Sequence, residues 1–282
     1  VKKEKVEKGL LKWIVLVLLL VIAISGIYFW YTKIKKPHEE AVEKFITVSE
    51  NVKAENSNLD TVIDSAQAVL DSGEPVYDET TIDDLTLAIS NAQSNKIEIP
   101  KLPEETEEIL SVVEALSQPL DYSSSISTLE EKKINLENSI KQMKQITNPS
   151  SDFIIQRLQG IDGISTCQAV TESHDPNGML NKQGGYTACV YFSSPWVNQD
   201  TIYGSDIIEK GTDCGGCIEV FATKEDATTR NDYLSAFDGS GMLNPGSHNV
   251  IGTIVVRTSN YLTASQQTDL TNCITEKLIE LQ

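Results

Sequence analysis

Nineteen consecutive residues without a charge, Trp13 to Tyr31, constrain this chain more than any other feature. At about 1.5 Å of rise per residue a helix of that length reaches about 28 Å, close to the ~30 Å hydrocarbon core of a bilayer. A helix pairs its own backbone groups, which lipid demands. Trp13 stands at one edge of the run, and Tyr28, Trp30 and Tyr31 at the other, where amphipathic rings prefer to lie. The sequence therefore predicts a transmembrane helix over 13–31, with 1–12 as a basic cytoplasmic tail. Lys2, Lys3, Lys5, Lys8 and Lys12 precede the run, against Lys33, Lys35 and Lys36 after it. That bias predicts a single pass through the plasma membrane, N-terminus inside and C-terminal domains outside. The run is too long for a signal-peptide core and ends in bulky aromatics, so an uncleaved anchor is expected.

Charge divides the chain into the same parts. Residues 1–36 carry a formal charge of +6, residues 37–150 carry −15 and residues 151–282 carry −9. A soluble portion this acidic, without basic patches interleaved with aromatics, argues against a nucleic-acid partner. It fits solubility first and cationic ligands second.

Between Pro37 and Thr147 apolar residues recur at threes and fours. Pro37 suits a helix start, and Val42, Phe45, Val52, Leu59, Val62 or Ile63, Ala66 and Val69 or Leu70 form a stripe interrupted by Ser49 and Asn56. Gly73 and Pro75 end it. Further helices are predicted over Ile82 to Gln93, Glu104 to Ser117 and Ser124 to Ile146, the last with a heptad-like, coiled-coil spacing. Pro100 and Pro103 exclude regular helix between the second and third. Residues 37–148 thus read as an acidic helical bundle or a segmented stalk.

Composition changes near Pro149: all five cysteines lie beyond it. Strand-like runs appear at Tyr186 to Phe192, Cys217 to Ala222 and Gly252 to Arg257. Helices are expected over Lys224 to Phe237 and Thr263 to Leu281, each opened by a capping threonine, with a short one from Ser151 to Leu158. This order predicts an α+β domain over 151–282, a small sheet with helices on one face.

Candidate site residues sit in two echoing loops, Asp175-Pro176-Asn177-Gly178-Met179-Leu180-Asn181 and Asp238-Gly239-Ser240-Gly241-Met242-Leu243-Asn244. Pro, Asn and Gly there are turn formers, and the shared Gly-Met-Leu-Asn suggests two similar turns. Asp175, Asn177, Gly178, Asp238, Ser240 and Gly241, with the flanking His174 and His248, are the candidate binding loops. Neither loop carries the later carboxylates of a calcium loop, so no metal is expected. No dinucleotide fingerprint, phosphate loop or hydrolase elbow occurs, so no cofactor is expected.

Cys214-Gly215-Gly216-Cys217 reads as a local structural disulfide in an oxidising compartment, ahead of a redox pair or half a zinc site. Cys167 with Cys189 is the expected second bridge. Cys273 falls on the apolar side of the last helix. Arg230 and Arg257 are suited to reading a carboxylate, although Arg230 is equally a surface residue of its helix.

The strings Lys182-Gln183-Gly184-Gly185-Tyr186-Thr187-Ala188, Gly216-Cys217-Ile218-Glu219-Val220-Phe221 and Arg257-Thr258-Ser259, with Asp175-Pro176-Asn177-Gly178, resemble the C-terminal part of uncharacterised membrane-anchored proteins of Gram-positive bacteria. The resemblance covers about residues 152–282. It implies an extracytoplasmic, surface-tethered domain of bacterial origin and carries no activity with it.

The function these features predict is a membrane-anchored cell-surface binding or interaction module, with a protein or cell-wall partner. The alternatives are an extracytoplasmic enzyme, thiol-based or hydrolytic, and a structural component of an envelope assembly.

Overall fold

The computed structural model describes residues 2–241 and 244–281. Helix α1 spans Lys2–Trp30 and continues through a π-helical turn, Tyr31–Lys35, into α2, Lys36–Asp71. Pro37 therefore does not start a new helix. It has no amide proton to donate and its ring crowds the carbonyl four residues back. The widened turn, in which the Lys36 amide bonds the Tyr31 carbonyl, absorbs both defects. Among the described residues one helix is long and apolar enough to cross a membrane, and its apolar window is wholly unburied by protein. Trp13 and Tyr28 are 69% and 70% exposed. Side chains that apolar, left uncovered over this length, are compatible with a single membrane span.

The chain forms two compact units. The first runs to Leu70 and resumes over Leu85–Lys132; the second comprises Asp71–Asp84 and Lys133 onward. The second thus begins earlier than residue 151, where composition placed it. In the first unit α2 buries Ala41, Phe45 and Val52 with Ile109 and Leu116 of α4 (Thr106–Leu116). Leu59, Ile63 and Ala66 of α2 are buried too, as are Leu85, Ala88, Ile89 and Ala92 of α3 (Thr80–Ser94) and Leu129 of α5 (Ser123–Gln145). Asn56, which breaks the apolar stripe, bonds inside this unit: its Nδ2 donates to the Ile97 carbonyl (2.9 Å) and its Oδ1 accepts from the Tyr122 hydroxyl (2.6 Å). Polar groups removed from water need such partners.

The second unit is built on a five-stranded antiparallel sheet in the order β1-β2-β3-β5-β4. The strands are β1 (Thr166–Ala169), β2 (Tyr186–Ser193), β3 (Gly215–Phe221), β4 (Ser247–Ile251) and β5 (Ile254–Thr258). Gly252, at φ +59°, makes the tight β4–β5 connection; a Cβ there would lie 2.6 Å from the Ile146 carbonyl.

Helices cover both faces of the sheet, not one. Helices α6 (Ser151–Leu158) and α9 (Ala264–Ile279) bring Ile154, Leu158, Leu270, Ile274 and Leu278 onto Val190, Phe192, Ile218, Val220, Ile254 and Val256. On the other face α7 (Ile207–Lys210) and α8 (Lys224–Ser235) lay Ile208, Ala227 and Leu234 over Tyr186, Cys189, Tyr191, Cys217, Phe221 and Val255. A register shift between Tyr186 and Ala188 turns Tyr186 to that second face despite its even number. Helix α8 was expected, but the face on which it packs is not local information, and α7, with only four residues, gives no periodic signal. Thr223 caps α8 and a Thr263–Gln266 capping box opens α9, as their sequences predict.

Candidate functional site

The second face of the sheet carries a charged cluster. β-alternation sends Cys217, Glu219 and Phe221 to one side of β3, and Val255 and Arg257 to the same side of β5. Helix α8 brings Arg230 over them. The Glu219 side chain is fully buried, and Arg230 grips it with two bonds, Nε to Oε2 at 2.8 Å and Nη2 to Oε1 at 2.9 Å. Arg257 adds Nη1 to Oε1 at 2.9 Å. Burial opposes ionisation of Glu219, but the two guanidinium groups outweigh it and hold the carboxyl below its ordinary range. Arginine was expected to read a carboxylate here; the carboxylate turns out to be the protein's own.

Two cations meet one anion within this cluster, and Lys210, Glu209 and Asp213 add one cation and two anions along the groove beside it. Arg257 Nε is buried without a protein acceptor. Above lies an open, polar groove of about 490 Å³, bordered by Asn177, Tyr191, Thr212, Asp213, Arg230, Tyr233 and Arg257. Arg230 stacks on Tyr233 with 5.5 Å from Cζ to the ring centre. Tyr191 holds the Nδ2 of Asn177 at 3.2 Å. Asp213 has its pKa raised by burial, against the pull of Arg257.

Both Gly-rich loops reach this groove, through Pro176 and Asn177 from the first and through Phe237, Asn244 and Pro245 around the second. They are built differently. The Asp175 carboxylate accepts from the amides of Asn177, Met179 and Leu180 at 3.1, 2.7 and 2.8 Å and from the Tyr186 hydroxyl. Burial opposes its charge, but these donors prevail and lower its pKa. Asp175 therefore organises its own loop, with Gly178 closing the turn at φ +61°. In the second loop Asp238 instead bonds His248 Nε2 at 3.1 Å, while His248 Nδ1 meets Asn231 Oδ1 at 2.8 Å. The Ser240 amide bonds the Phe237 carbonyl at 3.0 Å, and Gly241 has φ +68°. Met242 and Leu243 of the shared tetrad lie outside the described residues. His174 pairs with Asp206 at 3.1 Å. Neither loop histidine is placed to activate a thiol.

All five cysteines are free, so neither expected bridge is formed. Cys167 stands opposite Phe192 against the apolar core, whereas Cys189 belongs to the other face; the sheet lies between them. Cys214 is buried among the carbonyls of Gly211, Phe192 and Ile207 at 3.1, 3.3 and 3.5 Å, and burial pushes its thiol up to about 12. The intervening glycines serve packing: a Cβ on Gly216 would lie 2.2 Å from the Arg257 carbonyl and 2.3 Å from the Phe192 ring. Cys273 is exposed, off the apolar face of α9. Among the described residues no group of three or more His, Cys, Asp or Glu is arranged to hold a metal.

Glu219 is the residue that sequence reading passed over. Its signal was parity: in Cys217-Ile218-Glu219-Val220-Phe221 it shares a face with two residues that must be buried.

No protein-family model, no curated protein and no solved structure matches this chain.

Proposed function

We propose that this protein is a single-pass membrane protein, N-terminus inside, whose C-terminal unit lies outside the membrane and binds a small oxyanion in the groove above Arg230 and Arg257. The observation that carries the reading is the buried arginine–glutamate–arginine cluster. It sets two guanidinium groups on one carboxylate, and both arginines line a polar groove. A desolvated guanidinium with spare donors is stabilised by a carboxylate or phosphate. The groove volume falls in the range of small-molecule sites, about 300–1,000 Å³. The acidic surroundings repel large polyanions and leave a small ligand, able to enter past Asn177 and Tyr233, as the suitable partner.

Thermal-shift and calorimetric titrations of the full chain in detergent, with dicarboxylates, with inorganic phosphate and with neutral isosteres, test this. Stabilisation by an oxyanion, lost in Arg257→Gln, is expected. Equal response to the neutral isosteres would remove the site. Placement is tested separately at Cys273, the exposed thiol. A membrane-impermeant maleimide should label it in intact cells; labelling only after lysis would reverse the orientation.

A further inference from the structure

The groove above Arg230 and Arg257 carries charge of both signs, and its charged groups are not equally free. Lys210 Nζ donates to the Gln199 carbonyl at 3.0 Å. Glu209 Oε2 accepts from the amide and the hydroxyl of Ser205 at 2.8 and 2.6 Å. These two charges are spent on the chain itself. Asp213 differs. It lies in the 3-10 turn Gly211–Cys214 that leads into β3, and the Ser259 hydroxyl fixes its carbonyl at 2.8 Å. Its carboxylate has no hydrogen bond or ion pair among the described residues. Partial desolvation raises its pKa against the pull of Arg257, so the two charges act on one another without pairing.

A buried hydroxyl is also unspent. Tyr191 pairs with Cys217 and Cys217 with Arg257, so these three stand in one row across β2, β3 and β5. Tyr191 is 3% exposed and borders the groove. Asn177 Nδ2 donates to its oxygen at 3.2 Å, and the hydroxyl's own proton has no acceptor among the described residues. Buried donors are normally matched, and an oxygen entering the groove would match this one. Donors from Tyr191, Arg230 and Arg257 therefore face the same groove as an unpaired carboxylate on Asp213.

Taking the two arginines as the oxyanion pole proposed above, we infer that the groove binds the zwitterion of an α-amino acid, its carboxylate toward Arg230, Arg257 and Tyr191 and its ammonium toward Asp213. The charge balance selects this class. Two guanidinium groups, Glu219 and Asp213 sum to zero, and a zwitterion adds none. A plain carboxylate would bring a second negative charge to Asp213, and a plain amine would bring a third positive charge to the arginines. Each is rejected by repulsion at one pole, which is how discrimination between similar ligands arises. Tyr233 and Phe237, edge to face with 5.2 Å between ring centres, border the same groove and offer a wall to the ligand's side chain.

The test is calorimetric titration of the full chain in detergent with L-phenylalanine and L-alanine. Each is compared with its des-amino acid, 3-phenylpropionate or propionate, and with its amide, which lacks the carboxylate. At least one amino acid should bind about tenfold or more tighter than both of its analogues, the loss expected for one charge-assisted bond. Asp213→Asn, a change at an exposed position, should bring the amino acid down to the level of its des-amino acid without weakening the latter. A des-amino acid that binds wild type as tightly as its amino acid would overturn the zwitterion and leave the oxyanion reading standing. So would the failure of both amino acids while phosphate or a dicarboxylate still binds. Silence from every probe would remove both. The ranking on the wild-type chain decides the matter even if the variant misfolds.

Discussion

The two faces of one sheet follow opposite rules. Toward α6 and α9, strands β2, β3 and β5 present Ala188, Val190, Phe192, Ile218, Val220, Ile254 and Val256, with the buried Thr258 hydroxyl at the end of β5. Toward α7 and α8 the same strands present two thiols, two tyrosines, a buried glutamate and an arginine. The apolar face is excluded from water and the charged face is largely so beneath its groove, so the difference lies in what burial costs. The apolar face gains about 25 cal/mol for each Å² removed from water. The charged face must recover the desolvation of three ionised groups through geometry alone. The first face explains why the unit folds. The second carries groups that folding does not require, and that makes it the place to look for function.

The largest effects should separate the two faces. Phe192→Ala or Ile274→Ala removes core volume and should cost about 2–5 kcal/mol in urea unfolding. Glu219→Ala should cost up to about 3–5 kcal/mol for a different reason, because it strands two partly buried guanidinium groups. A combined Glu219→Leu, Arg230→Met, Arg257→Met variant should recover most of that loss while abolishing oxyanion binding. If the triple variant is as unstable as Glu219→Ala, the cluster is structural and the comparison fails. No such rescue by polar replacement is expected on the apolar face.

Acid should act on the charged face next. The folded pKa of Glu219 is lowered. Its contribution is therefore complete above the unfolded value, about 4.3, and is lost as pH falls through the folded one. Asp175, Asp206 and Glu209 are lowered too, by their own donors. The informative quantity is thus the difference between wild type and the triple variant. The urea midpoint of the wild type should fall more steeply below pH 4.5. Parallel curves would show that the buried carboxylate gives no pH-dependent stability.

How far these faces were legible in sequence follows from the same physics. Strands β2, β3 and β5 are central and buried on both sides, so they read as apolar runs. Strands β1 and β4 are the sheet's edges; Thr-Cys-Gln-Ala and Ser-His-Asn-Val-Ile are only partly buried and carry no apolar signature. The caps at Thr223 and Thr263 were legible because capping is local. The pairing of Arg230 and Arg257 with Glu219 was not, because it joins residues 11 and 38 positions apart through a strand register that composition cannot supply. The Cys214–Cys217 spacing misled for a related reason. Local spacing suggested a local bridge, whereas the glycines serve the close approach of Phe192 and Arg257.

At the groove, Arg257→Gln keeps some hydrogen-bonding capacity and removes the charge. A charge-assisted bond contributes about 1.5–3 kcal/mol, so oxyanion affinity should fall about tenfold to hundredfold. Arg230 still holds Glu219 with two bonds in that variant, so the melting temperature should change less than in Glu219→Ala. A loss of affinity in step with a loss of fold would point to a general collapse instead of a binding role.

The smallest effect discriminates most finely. Thr223 caps α8 on the charged face, and Thr263 caps α9 on the apolar face. Alanine at either position leaves first-turn amides unpaired and should cost about 1 kcal/mol of stability. The two variants should therefore unfold alike. They should not bind alike, because α8 carries Arg230 and the stacked Tyr233 to the groove while α9 contributes no lining residue there. Fraying the start of α8 loosens the element that positions Arg230; fraying α9 leaves it in place. Oxyanion affinity should thus fall in Thr223→Ala and hold in Thr263→Ala at matched stability, as read by titration. Equal affinities would mean that α8 positions nothing that the ligand uses.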